Sequence, residues 1–159
     1  MTQQQHLAAQ ESNERNGKNE TLITAIEVTN PQARLDFLFS KLRSQCHIFE
    51  RSVFNYMRQH AIAYQGGFWD FYHLSNGGFY LQPPKGYMLT TPNGFMDEVT
   101  AQEAGIIVTL MMLSHFSFLT DEKGLQEDCE RISDYFHQLR EYIFTLSAKS
   151  QSTIFRAID

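Results

Sequence analysis

The stretch GGFWDFYHLSNGGFYLQPP, residues 66–84, sets two aromatic-rich runs around a Ser-Asn-Gly-Gly loop. Asn and Gly both tolerate positive φ, so Asn-Gly between strand-like runs signals a β-hairpin. With Asn76-Gly77 as a two-residue turn, Leu74 pairs with Phe79, His73 with Tyr80 and Tyr72 with Leu81. Side chains alternate along a strand. One face then carries Phe68, Asp70, Tyr72, Leu74, Phe79 and Leu81, and the other Trp69, Phe71, His73, Tyr80 and Gln82. Large rings stand on both faces. Either both are covered, which packing alone favours, or one is a docking surface. The candidates for partner contact are Trp69, Asp70, Tyr72, His73, Asn76 and Tyr80.

Helical patterns flank this hairpin. Asn30-Pro31 reads as a cap followed by Pro at the first helical position, with Leu35, Leu38, Phe39 and Leu42 at helical spacing behind it. A second helix is predicted over residues 46–64, with Phe49, Val53, Tyr56 and His60 on one face. Thr100-Ala101-Gln102-Glu103 has the form of a capping box. The helix it opens, to about Leu119, is apolar nearly all round and therefore central. A polar connection over residues 120–124 leads to an amphipathic helix over residues 125–146, and a short turn over residues 152–158 closes the chain. Strands are expected over residues 21–29, 87–91 and 95–99. This order, without repeated βαβ alternation, predicts an α+β fold: a small antiparallel sheet with a central hairpin, packed with four or five helices. Residues 1–20 are polar and aperiodic and read as a flexible tail before a single domain over residues 21–159.

Charge and cysteine content narrow the function classes. A net charge of −5 argues against strong nonspecific nucleic-acid binding. The two cysteines, Cys46 and Cys129, stand in no CxxC pattern, which fits a reducing cytoplasm. No secretory leader is expected from so polar a beginning. The apolar run Ala104–Leu113 is shorter than a bilayer span, so no membrane association is expected. Charge is uneven, with a balance of +3 over residues 31–60 and −4 over residues 120–141.

Motifs for catalysis are absent from the sequence. None of the six histidines forms HxxxH or HExxH, so no metal site is predicted. There is no GxSxG, Walker loop or GxGxxG. Ser114-His115 and Cys46-His47 are sequence neighbours, which on a helix point about 100° apart and make no nucleophile–base pair. No cofactor and no catalytic residue follow. The competing class is a small-ligand binder or an enzyme whose cleft gathers Asp70, His73 and Asp97.

The hairpin string, the helix start Thr100-Ala101-Gln102-Glu103-Ala104-Gly105 and the terminal Ile154-Phe155-Arg156-Ala157-Ile158-Asp159 together resemble the ArdB/KlcA antirestriction proteins. The resemblance spans residues 21–159. It implies a compact α+β protein of the cytoplasm, encoded by plasmids or other mobile elements. It also implies protection of incoming DNA from type I restriction–modification systems, acting on them directly or indirectly. It carries over no catalytic residues. Imitation of DNA is not expected. B-DNA carries one charge per about 1.7 Å of axis, so a domain about 35–40 Å across would need on the order of twenty net negative charges. A net −5 with 13 Lys and Arg does not supply that field.

Overall fold

The computed structural model describes residues 21–159; the tail expected over residues 1–20 lies outside the described residues. In chain order the elements are β1 (Ala25–Glu27), α1 (Pro31–Leu42), a 3₁₀ turn (Arg43–Gln45), α2 (Cys46–His60), β2 (Asp70–Leu74), β3 (Phe79–Gln82), β4 (Tyr87–Thr90), β5 (Met96–Val99), α3 (Ala101–Glu122), α4 (Gln126–Ile143) and α5 (Ala148–Ile158). The class is α+β as expected. The strands form two antiparallel sheets rather than one, β1-β2-β3 and β4-β5.

Local signals place several boundaries. The Asn30 side chain accepts from Ala33 N–H at 3.0 Å and starts α1. The Thr100 hydroxyl accepts from Glu103 N–H at 3.1 Å, while Glu103 reaches back to Thr100 N–H at 3.0 Å. This capping box opens α3. Other boundaries move. The first strand shortens to three residues, because Thr24 N–H turns to the Ser75 hydroxyl. Helix α2 stops at His60, where Ala61 becomes extended and bridges Leu89. Helix α3 runs through the expected connection to Glu122, and the Thr120 hydroxyl bonds back to the Phe116 carbonyl at 2.7 Å. Ser147 caps α5, which begins earlier than expected and buries Thr153, Ile154 and Ala157.

The hairpin register differs by one residue. Tyr72 stands opposite Tyr80, and His73 opposite Phe79. Leu74 carbonyl accepts from Gly77 N–H, and Leu74 N–H donates to the Gly78 carbonyl, both at 2.9 Å. The loop is therefore three residues, Ser75-Asn76-Gly77, with Gly77 alone at positive φ (+96°). That is a type I turn closed by a bulged glycine, not a two-residue turn. A one-residue slip exchanges the faces of the second strand. Tyr72 and Tyr80 consequently stack, centroids 4.9 Å apart and 5° from parallel.

The β4–β5 loop repeats this construction. Gly94 N–H donates to the Thr91 carbonyl and Thr91 N–H to the Phe95 carbonyl, with Gly94 at φ +89°. In both loops the Asn Oδ1 accepts from the N–H two residues on, at 3.1 Å for Asn76 and 2.9 Å for Asn93. Each Asn amide then donates to a helix carbonyl, Gln138 of α4 and Arg156 of α5, both at 2.9 Å.

Helix α3 is the centre of the core. It has the length and apolar content of a membrane span, yet 67% of that window is buried inside the fold. It covers the outer edge of β3: Leu81 N–H donates to the Thr109 hydroxyl at 3.2 Å. A bare Gly105 permits the approach. A Cβ there would overlap the Leu81 carbonyl oxygen and come within 2.9 Å of the Gln82 Cα. An edge strand that would otherwise present free N–H groups is thus closed.

Candidate functional site

The residues picked out on the hairpin fall into three environments. Trp69 is 3% exposed and Tyr80 is 1% exposed. Trp69 packs on Phe54 and donates Nε1–H to the Tyr64 hydroxyl at 2.8 Å. Tyr80 lies between Tyr72 and Tyr142 in a three-ring stack, with Gln102 beside the Tyr80 and Tyr142 hydroxyls. The two do not share a face, contrary to the two-residue-turn register. Burial raises the Tyr72 hydroxyl above its usual range, and the Glu27 and Asp70 carboxylates add to this.

At the base of the hairpin Arg34 joins α1 to β2. Its guanidinium lies over the Phe68 and Phe71 rings at 4.3 and 4.9 Å. It donates to the Trp69 carbonyl at 2.6 Å and stands 3.8 Å from an Asp70 oxygen. At the tip, half-buried Lys41 donates to His73 Nδ1 at 3.1 Å and to the Gly77 carbonyl at 3.0 Å. An ammonium can only donate, so Nδ1 accepts and the neutral imidazole keeps its proton on Nε2. Burial, and then the Lys41 charge, push His73 below its ordinary value; burial does the same to Lys41.

Asp70, His73 and Asp97 are not gathered around one cleft. Asp97 pairs with Arg156 at 3.2 Å and lines a polar cleft of about 530 Å³ that contains neither of the other two. Among the described residues no cluster of three or more His, Cys, Asp or Glu side chains is arranged to hold a metal.

An exposed apolar groove lies elsewhere. Leu35 is 78% exposed, Phe39 57% and Phe68 70%. They stand over a groove of about 480 Å³ between α1, α2 and the start of β2, floored by Leu38, Cys46 and Phe71. His47 and Glu50 of α2 form its polar side. Helical spacing puts Leu35 and Phe39 in one stripe with Leu38 and Leu42, but the buried residues of α1 are Phe37, Leu38 and Leu42. Helix α1 is apolar on two adjoining faces, and only one is covered. The signal for the second face is the apolar pair Leu35 and Phe39 left over once Phe37, Leu38 and Leu42 are assigned to the core.

A family model described as antirestriction protein matches residues 62–159. An Escherichia coli antirestriction protein KlcA is 39% identical over 113 residues, covering 69% of this chain and 74% of that protein. A second E. coli KlcA is 34% identical over 141 residues, covering 86% and 95%. The chain belongs to the antirestriction protein family. A solved structure, from work describing a novel fold for KlcA and ArdB, matches at a TM-score of 0.75 and 30% identity. The match covers 91% of this chain and all of that one. KlcA and ArdB are described there as active against type I DNA restriction systems in vivo but not in vitro. The residues matched to the antirestriction family begin after α2, whereas the structural likeness spans nearly the whole fold. In this family member Leu35, Phe39 and His47 therefore reach the groove from the segment that precedes residue 62, and Phe68 from the segment that follows it.

Proposed function

We propose that this protein protects incoming plasmid or phage DNA from type I restriction endonucleases in the host cytoplasm. It acts as a binding protein, through contact with a protein or by indirect interference, and not by imitating DNA. The observation that carries this reading is the near-complete structural match to KlcA and ArdB, with their activity in vivo but not in vitro. A mimic that occupied the DNA channel of the enzyme would work equally well in a purified reaction.

The charge arrangement supports the same reading. Four carboxylates are held in pairs or a cap within the fold: Asp97 with Arg156, Asp128 with Arg131, Asp70 near Arg34, and Glu103 buried in the α3 cap. A uniform negative surface on the scale of a DNA duplex is not built from such groups. The test is competition. A purified type I enzyme bound to labelled DNA keeps its DNA when this protein is added in large excess. Stoichiometric displacement of the DNA would overturn the non-mimetic reading.

A further inference from the structure

The polar cleft of about 530 Å³ between β5, the start of α3 and α5 is lined by two buried polar side chains whose bonding is incomplete. Glu103 and Thr153 are each 5% exposed. Glu103 Oε1 accepts from Thr100 N–H at 3.0 Å in the capping box, and Oε2 accepts no hydrogen bond among the described residues. The side-chain hydrogen bonds of α5 are made by Ser147, Gln151 and Arg156, and none by Thr153. A helical Thr commonly bonds back to a carbonyl one turn earlier, as Thr120 does to Phe116 at 2.7 Å. Among the described residues the fully enclosed polar side-chain atom without a partner is Gln138 Oε1. The free oxygens of Glu103 and Thr153 therefore keep a path into the cleft that both residues line.

The charges around these oxygens define what they can receive. Asp97 is paired with Arg156 at 3.2 Å. Glu98 and Lys149 are exposed at the rim and opposite in sign. Glu103 lies deeper, and no Lys, Arg or His pairs with it among the described residues. An ionised carboxylate only accepts hydrogen bonds, and a Thr hydroxyl can accept as well. A buried acceptor left short of donors is costly, the more so when it is charged. The matching group carries positive charge and more than one N–H. A metal ion is a poorer match, because hard cations take six or more oxygen ligands and among the described residues no three acidic, His or Cys side chains are arranged to supply them.

We propose that this cleft binds an organic cation with several N–H donors, a guanidinium or a primary ammonium. The cation donates to Glu103 Oε2 and to the Thr153 hydroxyl oxygen. Its source is either a free small molecule or an Arg or Lys side chain of another polypeptide, which present the same chemistry. The assignment does not rest on the antirestriction reading.

The test is an NMR titration of the full chain. Methylguanidinium at up to about 10 mM should shift the amide resonances of Thr100, Glu103 and Thr153 saturably. Tetramethylammonium, a cation without N–H donors, and propionate, an anion, should not. Glu103→Gln retains the acceptor that the capping box needs and removes the charge, so it should stay folded and bind about tenfold more weakly. Thr153→Val removes the hydroxyl at similar shape and should weaken binding about fivefold. No saturable shift, an equal response to tetramethylammonium, or wild-type affinity in both variants would overturn the proposal. Should Glu103→Gln fail to fold, Thr153→Val and the tetramethylammonium control decide it. A blocked Gly-Arg-Gly peptide that binds more tightly than methylguanidinium assigns the cation to a polypeptide side chain; weaker binding of the peptide assigns it to a free small molecule.

Discussion

Asn76 donates its side-chain amide to the main-chain carbonyl of Gln138 at 2.9 Å, tying the β2–β3 turn to α4. Its Oδ1 holds the loop from inside through Gly78 N–H. Gly77, next in the chain, needs a positive φ of 96°. A β-branched residue is strongly disfavoured there, and a Cβ would press on the Gln138 amide at 3.3 Å. Gly77→Val is expected to cost on the order of 1–3 kcal/mol. Asn76→Ala, which removes these two hydrogen bonds and a longer one to the Glu141 carboxylate at 3.5 Å, is expected to cost about 1–2 kcal/mol. Denaturant unfolding of both variants measures these costs, and an unchanged midpoint for Gly77→Val would refute the loop assignment.

Gly105→Ala probes the closure of the β3 edge. The added methyl group has no free space, since backbone atoms of Leu81 and Gln82 occupy it. Separating α3 from β3 would also lengthen the bond from Leu81 N–H to the Thr109 hydroxyl. Overpacking of this kind costs about 1–3 kcal/mol or more, against a helix-propensity gain for Ala of about 1 kcal/mol. Thermal unfolding should show net destabilisation. A stabilised variant would mean that α3 and β3 do not approach this closely in solution.

Trp69→Ala separates core from surface. At 3% exposure, with its indole bonded to Tyr64, Trp69 should lose about 3–5 kcal/mol on truncation. Antirestriction should fall only in proportion to the unfolded fraction. Melting temperature and phage plating measured on the same variant decide the point; lost protection at unchanged stability would make Trp69 a contact residue.

Acid should weaken the hairpin tip. His73 titrates below its usual value of about 6.5 in the folded chain, through burial and then the Lys41 charge. The unfolded chain therefore binds the proton more readily. Stability from the neutral ring is fully present above about pH 6.5 and is lost as the pH falls through the lower folded value. Lys41→Gln should raise the His73 titration point, followed by NMR of the imidazole. A lower or unmoved value would remove Lys41 as its neighbour in solution.

Much of this fold is legible in the sequence where the signal is local. The caps at Asn30 and Thr100 use side chains within three residues of their targets, so spacing alone predicts them. The hairpin register is less legible, because Asn-Gly serves both a two-residue turn and the last two positions of a bulged three-residue loop. The choice is settled by long-range partners: Gln138 for Asn76 and Lys41 for the Gly77 carbonyl. Helix α5 outruns the short turn that its apolar residues suggest, because the polar Ser147 caps it and the helix begins at Ala148, four residues before the expected turn over residues 152–158. The groove is hidden for a different reason. Helical periodicity identifies apolar faces but not which of two faces a neighbour covers, and Leu35 and Phe39 lie on the uncovered one.

The central claim is tested most directly by the plating efficiency of unmodified phage on isogenic hosts with and without a type I restriction system, each with and without this protein. Protection from restriction predicts a rise in plating on the restricting host and no change on the nonrestricting one. Soluble expression with no rise on the restricting host, or an equal rise on both, would contradict it.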